Sequence, residues 1–340
     1  AEQFLKSHSK HRLAAKAELE IAEAYETHRR NVEAIERLEG MISNPQYSGS
    51  DHLAVARRML GDAYFAQNDF EKAIRSWKLF LDNHPTDSEW PSVQQRIIGA
   101  EFAAANHAMV LKDYATARQL WQTFLNKYPV DNRAPLILYQ FGEMHFMQAV
   151  DDRRARMADA NDQDDTSLEL TQSDRKLFEE AISDWNRLVA KYPNTNHASI
   201  ASLKIGITLE DYLHRRKDAL ESYKKVTGAS ETAAKRRIAR LTQPELRVMT
   251  KRKFRSDEDP TVSLVTRNLE SVSISVYTID MTDYFRKMHL ATGVEQLDIA
   301  LIDPDMQFDH VVDDYEDFKR ITHDVKIPVQ GPGVTAVTVS

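Results

Sequence analysis

Histidine and carboxylate are the side chains this sequence offers for chemistry, with 12 His and 52 Asp plus Glu among 340 residues. They do not fall into catalytic spacing. A zinc-protease helix needs His-Glu-x-x-His, which sets two imidazoles one turn apart beside a general base, and no such run occurs. His107 and His145 lie in stretches of helical period and read as packing residues. Asp303, Asp305, Asp309, His310, Asp313 and Asp314 form an acidic cluster that could attract a cation. No glycine turn or ligand alternation fixes a coordination geometry there, so a solvated loop is the plainer reading. A second polar run starts at Asp159. Counted as a calcium loop, its sixth position is Asp164 where glycine is needed, and its twelfth is Leu170 where a bidentate Glu is needed. It reads instead as an exposed insertion over about 151–174.

Other chemistries lack their residues. The chain has no cysteine, which removes thiol nucleophiles, zinc–thiolate sites, disulfides and thioesters within these residues. With ten glycines there is no phosphate-cradling loop, no dinucleotide fingerprint and no Gly-x-Ser-x-Gly elbow. The basic run Lys251-Arg252-Lys253-Phe254-Arg255 is answered at once by Asp257-Glu258-Asp259. With a net charge of -7, a nucleic-acid partner is not expected. No apolar run approaches the ~20 residues that cross a bilayer as a helix. The expectation is a non-enzyme with no cofactor and no metal.

The residues must then serve packing and recognition. Leu60-Gly61-Asp62-Ala63-Tyr64 is followed by Ala73, Trp77 and Pro85. The Ala–aromatic–Pro spacing recurs as Ala117, Trp121 and Pro129, and as Ala181, Trp185 and Pro193. An earlier unit shows Ala22, Tyr25, Ala34 and Leu38; a later one shows Gly206, Ala219 and Tyr223, one residue out of step. Small residues let paired helices approach, the aromatic one turn on fills the gap, and Pro ends the second helix. These offsets resemble tetratricopeptide repeats over about residues 15–240, with irregular spacing that calls for longer helices or connections. The resemblance implies stacked helix pairs and a concave protein-binding face formed by the first helices. Tyr64, Asn68, Asn106 and His107 are the candidate contact residues on that face. The Lys127-Tyr128-Pro129 and Lys191-Tyr192-Pro193 endings are similar to those of envelope repeat adaptors.

After Gln243-Pro244 the period becomes two. Val262/Leu264, Val272/Ile274/Val276, Leu297/Ile299/Leu301, Val325/Ile327/Val329 and Val334–Val339 alternate as half-buried strands. A short helix over 281–288 interrupts them. The expected organisation is therefore α plus β in separate domains: a tetratricopeptide-like α-solenoid over 1–242 and an antiparallel β-sandwich over 243–340.

Val262 to Asn268, Val272 to Asp280, Asp283 to Arg286 and the turn at Gly331-Pro332-Gly333 resemble the first macroglobulin-type domain of bacterial α-macroglobulins. That resemblance implies the N-terminal scaffold of an endopeptidase inhibitor whose target proteases are met by downstream domains, in the periplasm or envelope. Gly293-Val294-Glu295-Gln296 lacks the Cys a thioester needs. The start at Ala1 and the ending in a strand read as a trimmed piece of something longer. The alternative is a tetratricopeptide adaptor of the bacterial envelope, with the partner of its repeats unnamed by the sequence.

Overall fold

The computed structural model describes residues 1–159, 169–255, 258–280, 282, 286, 303–328 and 334–340. The expected strand at 297–301, most of the short helix at 281–288, Gly293–Gln296, the turn at 331–333 and most of the acidic run lie outside them. The described chain falls into two compact units, 1–152 and 153–340.

The first unit holds α1 (Glu2–His8), α2 (Ala14–Thr27), α3 (Asn31–Ser43), α4 (His52–Ala66), α5 (Phe70–Asn83), α6 (Trp90–Val110), α7 (Tyr114–Lys127) and most of α8 (Ala134–Asp159). The repeat residues do what their spacing implies. Ala34, Ala73 and Ala117 are fully buried, and Trp77 and Trp121 are at most 2% exposed. A tryptophan ring removes about 200 Å² from water, worth roughly 5 kcal/mol before entropy is counted. Gly61 has a direct steric reason: a Cβ there would stand 2.3 Å from Nε1 of Trp77. The irregular spacing comes partly from helix length, since α6 has 21 residues and α4 has 15.

The links within helix pairs repeat in backbone geometry, which no residue pattern announces. Arg29, Asn68 and Lys112 follow α2, α4 and α6 at φ of 58°, 60° and 59°. None is glycine, yet each adopts the left-handed conformation that ends a helix. The next residue donates back five positions in every case: Arg30 to Tyr25, Asp69 to Tyr64 and Asp113 to Ala108. Asp69 and Asp113 then cap α5 and α7, accepting from the amides of Lys72 and Thr116.

The second unit holds the end of α8, then α9 (Gln172–Lys191), α10 (Asn196–Ile207), α11 (Arg216–Lys224), α12 (Glu231–Thr242) and six strands. The insertion expected over about 151–174 is narrower. Residues 151–159 continue α8, and 172–174 form the first turn of α9. The charges that looked loop-like are tethers. Asp151 accepts from Lys112 Nζ at 2.7 Å and Tyr114 Oη at 3.0 Å. Arg156 pairs with the fully buried Asp174, which closes a capping box with Thr171 at the start of α9.

The strands are β1 (Glu245–Met249), β2 (Thr261–Arg267), β3 (Ser271–Ile279), β4 (Met306–Val311), β5 (Ile321–Lys326) and β6 (Val334–Val339). They form two antiparallel three-stranded sheets, ordered β1-β2-β5 and β4-β3-β6. Val262, Leu264, Val325 and Ile327 of one sheet and Val272, Ile274 and Val276 of the other share one apolar cluster. The region is thus two small antiparallel sheets that contribute to one apolar cluster, short of the sandwich expected. β4 corrects the reading of 303–314 as a solvated loop: Asp309 and His310 are strand residues. Met306, Phe308 and His310 alternate with Gln307 and Asp309, but only Phe308 is strongly apolar and partly buried on the inward side, so the period was hidden.

The helices of this unit are joined to its strands by named contacts. Asn268, in the left-handed conformation, donates from Nδ2 to Leu241 O at 2.6 Å and accepts at Oδ1 from Phe318 N at 2.8 Å. Arg216 pairs with Glu316 and Lys217 with Asp317. These ties account for α9–α12 belonging with the strands.

Candidate protein-docking face

In the first unit, first helix α2 packs on α4, and α4 is linked to α6 through Asp62 and Arg96. Gly61 of α4 meets Trp77 of α5, and Arg58 and Asp62, one turn apart, flank that contact: Trp77 Nε1 donates to the Arg58 carbonyl and also lies within reach of the Asp62 carboxyl. Asp62 accepts from Arg58 Nη1 at 3.1 Å and from Arg96 Nη1 of α6 at 2.6 Å. The Asp62 side chain is 16% exposed, Arg58 25% and Arg96 38%. Burial pushes the Asp62 carboxyl above its ordinary range, although Arg96 and Arg58 pull the other way. Glu26 of α2 is raised as well, first by burial and then by the charge of Asp62. Four charges from three repeats therefore form one partly desolvated cluster.

One turn along α4 from Asp62, Phe65 begins an aromatic edge. Phe70, at the start of α5, meets Phe65 edge-on at 5.5 Å and His107 of α6 at 5.7 Å. Phe65 is 38% exposed; Val110 and Leu111, at the next link, stand out further. Charged side chains beside exposed apolar ones are the make-up of a recognition surface.

The four contact residues named from the sequence are divided by the structure. His107 joins the aromatic edge, and Asn106 beside it is half-buried. Asn68 is exposed in the α4–α5 link. Tyr64 is withdrawn, at 7% exposure, with its hydroxyl donating to Glu39 of α3. Burial and then Glu39 push that phenol up to about 12. Arg58, Asp62, Arg96 and Glu26 were missed. The spacing of Arg58 and Asp62 was a visible signal, but Arg96 belongs to the following repeat and only the fold brings it to Asp62.

His145 is buried in α8, as its helical register implied. The described residues contain no group of three or more His, Cys, Asp or Glu arranged to hold a metal ion, and no described helix is long and apolar enough to cross a membrane.

Among solved structures, the chain is similar to a Podosopora anserina kinesin light chain protein with nearly identical TPR-like repeats, at 14% identity and a TM-score of 0.31, covering 67% of this chain and 98% of that one. It is also similar to MamA from Desulfovibrio magneticus, at 15% identity and a TM-score of 0.31, covering 66% and 96%. A tetratricopeptide repeat protein from Parabacteroides merdae shows 14% identity, a TM-score of 0.26, and coverage of 66% and 85%. No curated protein matches the chain. The family model for the YfiO outer membrane lipoproteins matches residues 60–241, from α4 through α12. That match stops before residues 244–340, and the macroglobulin resemblance of those residues gains no support from it. The match takes in more than half of the sequence and every repeat from the Leu60-Gly61 motif onward, and the chain accordingly belongs to the YfiO outer membrane lipoprotein family.

Proposed function

We propose that this chain is a non-catalytic scaffold of the bacterial cell envelope that docks a protein partner on the first-helix face of residues 1–152. The carrying observation is the cluster of Glu26, Arg58, Asp62 and Arg96 beside the exposed Phe65. Asp62 holds two guanidiniums, and Arg96 keeps over a third of its surface in water. A partner carboxylate can share Arg96, while an apolar side chain covers Phe65 and Val110. Asn68, Asn106 and His107 would sit at the rim of such a contact. Membership of an outer membrane lipoprotein family supports a place of action at the envelope. The protease-trap reading of residues 244–340 has no comparable observation behind it and gives way to the adaptor reading.

The test is co-purification from envelope extracts of the cells that make the protein. A stoichiometric protein partner lost from Arg96→Ala and Phe65→Ala, but retained by Arg75→Ala on the exposed side of α5, is the expected result. Retention of that partner by all three variants would sink the assignment of the face.

A further inference from the structure

His310 and His323 meet across the two sheets of the second unit. His310 lies on β4, an edge strand of one sheet, and His323 on β5, an edge strand of the other. Strand alternation settles their direction. Phe308 packs on the shared apolar cluster, so His310, two residues on, faces the same inter-sheet side; Val325 and Ile327 belong to the cluster, so His323 faces it too. Their ring centroids are 5.0 Å apart with planes tilted by 56°. Nε2 of His323 is buried and makes no hydrogen bond among the described residues.

A buried imidazole nitrogen without a partner is unfavourable unless something fills it. Two imidazoles on a tetrahedral zinc ion, with Zn–N bonds of about 2.0–2.1 Å, place their ring centroids about 5 Å apart.

We propose that His310 and His323 bind a late first-row divalent metal ion, with Zn²⁺ as the fitting case, between the two sheet edges. Imidazole is the ligand type that suits zinc, copper and nickel. Among the described residues no third ligand completes the set, so water or a partner's side chain takes the remaining positions. The Asp313 carboxylate favours a cation beside His323, while Asp324 is engaged by Lys251. The bound ion clips β4 to β5, each the end strand of its sheet.

Zinc titration of the full chain by calorimetry, with EDTA-treated protein as the start, tests this. One Zn²⁺ per chain is expected, with affinity falling about tenfold or more in His310→Gln, since even outer-shell changes cost about 10–100-fold. His8→Gln/His11→Gln should bind as the parent does. Absence of zinc binding, or unchanged affinity in His310→Gln, overturns the proposal. If His310→Gln does not fold, X-ray absorption of the zinc-loaded parent decides: two imidazoles in the first shell support the site, and fewer than two contradict it.

Discussion

The second and fifth helix pairs solve one packing problem with different residue counts. In the second, Gly61 of α4 admits the ring of Trp77 of α5. In the fifth, Gly206 of α10 admits Tyr223 of α11, where a Cβ on the glycine would stand 2.3 Å from Cε1 of the ring. The aromatic residue comes one position later after its glycine in the fifth pair than in the second. The additional residue is taken up by a π-helical turn, Thr208–Tyr212, between α10 and the link. The link shows the same shift: Arg215 donates back six positions to Leu209, where the other links donate back five. His214 still holds the left-handed conformation, at φ 55°. Packing of the small residue on the aromatic ring has been kept, and the backbone has absorbed the insertion, as π turns do.

The polar groups around the two rings differ with the backbone. Trp77 Nε1 donates to the carbonyl of Arg58 at 3.1 Å. Tyr223 donates to the buried Glu210 at 2.7 Å, and Glu210 also holds Arg237 and Arg240 of α12. Burial works against the charged form of Glu210, but Tyr223, Arg240 and Arg237 outweigh it and hold the carboxyl below its ordinary range. In the second pair, burial wins at Asp62 and the shift is upward.

The largest expected contrast follows from those opposite shifts. Glu210→Ala leaves two guanidiniums and a phenol without their shared acceptor and should cost about 3 kcal/mol, within the range for breaking a buried pair. Asp62→Asn removes a carboxylate whose charged form burial already disfavours and should be near neutral at pH 7; urea unfolding of both variants checks this. Equal losses would erase the distinction. Next come Gly61→Ala and Gly206→Ala, expected to cost about 1–3 kcal/mol each through overpacking. A harmless Gly206→Ala would mean that the π turn yields and the two contacts are not equivalent.

The pH dependence sharpens the comparison. A lowered folded pKa makes the Glu210 contribution present above about pH 4.3 and lost as pH falls through the folded value. Asp62 has the reverse sign, contributing below about pH 3.9 and losing that contribution as pH rises through its raised folded value. The Glu210→Ala deficit should therefore shrink on acidification, and the Asp62→Asn difference should move toward destabilisation. His323, lowered by burial and His310, contributes above about pH 6.5 and is lost as pH falls. The smallest effect is at the links. Asp69→Ala should cost about 1 kcal/mol as a lost N-cap, whereas Arg30, which makes no side-chain cap to α3, should tolerate alanine with a smaller change in midpoint.

The sequence made much of the helical region legible because its signals are local. Ala–aromatic pairs one helical turn apart and prolines after the second helix survive any drift in repeat length, and Trp77, Trp121, Trp185 and Tyr223 are all buried as their register implied. The one-residue slip before Ala219 was visible; its resolution as a π turn was not, because no residue type marks one. β4 was hidden by polar residues on both faces, and the docking cluster by the distance in sequence between Glu26, Asp62 and Arg96. The macroglobulin resemblance rested on strand periodicity, which many sheet proteins share.

The central claim, that the first-helix face of residues 1–152 docks a protein, is tested most directly by placing a photo-crosslinking residue at single positions in living cells. Positions 65 and 96 should each give one discrete adduct to the same protein, and position 75 on the outer side of α5 should give none. Adducts from position 75 alone, or none from 65 and 96 while the protein is folded and in the envelope, would contradict the account.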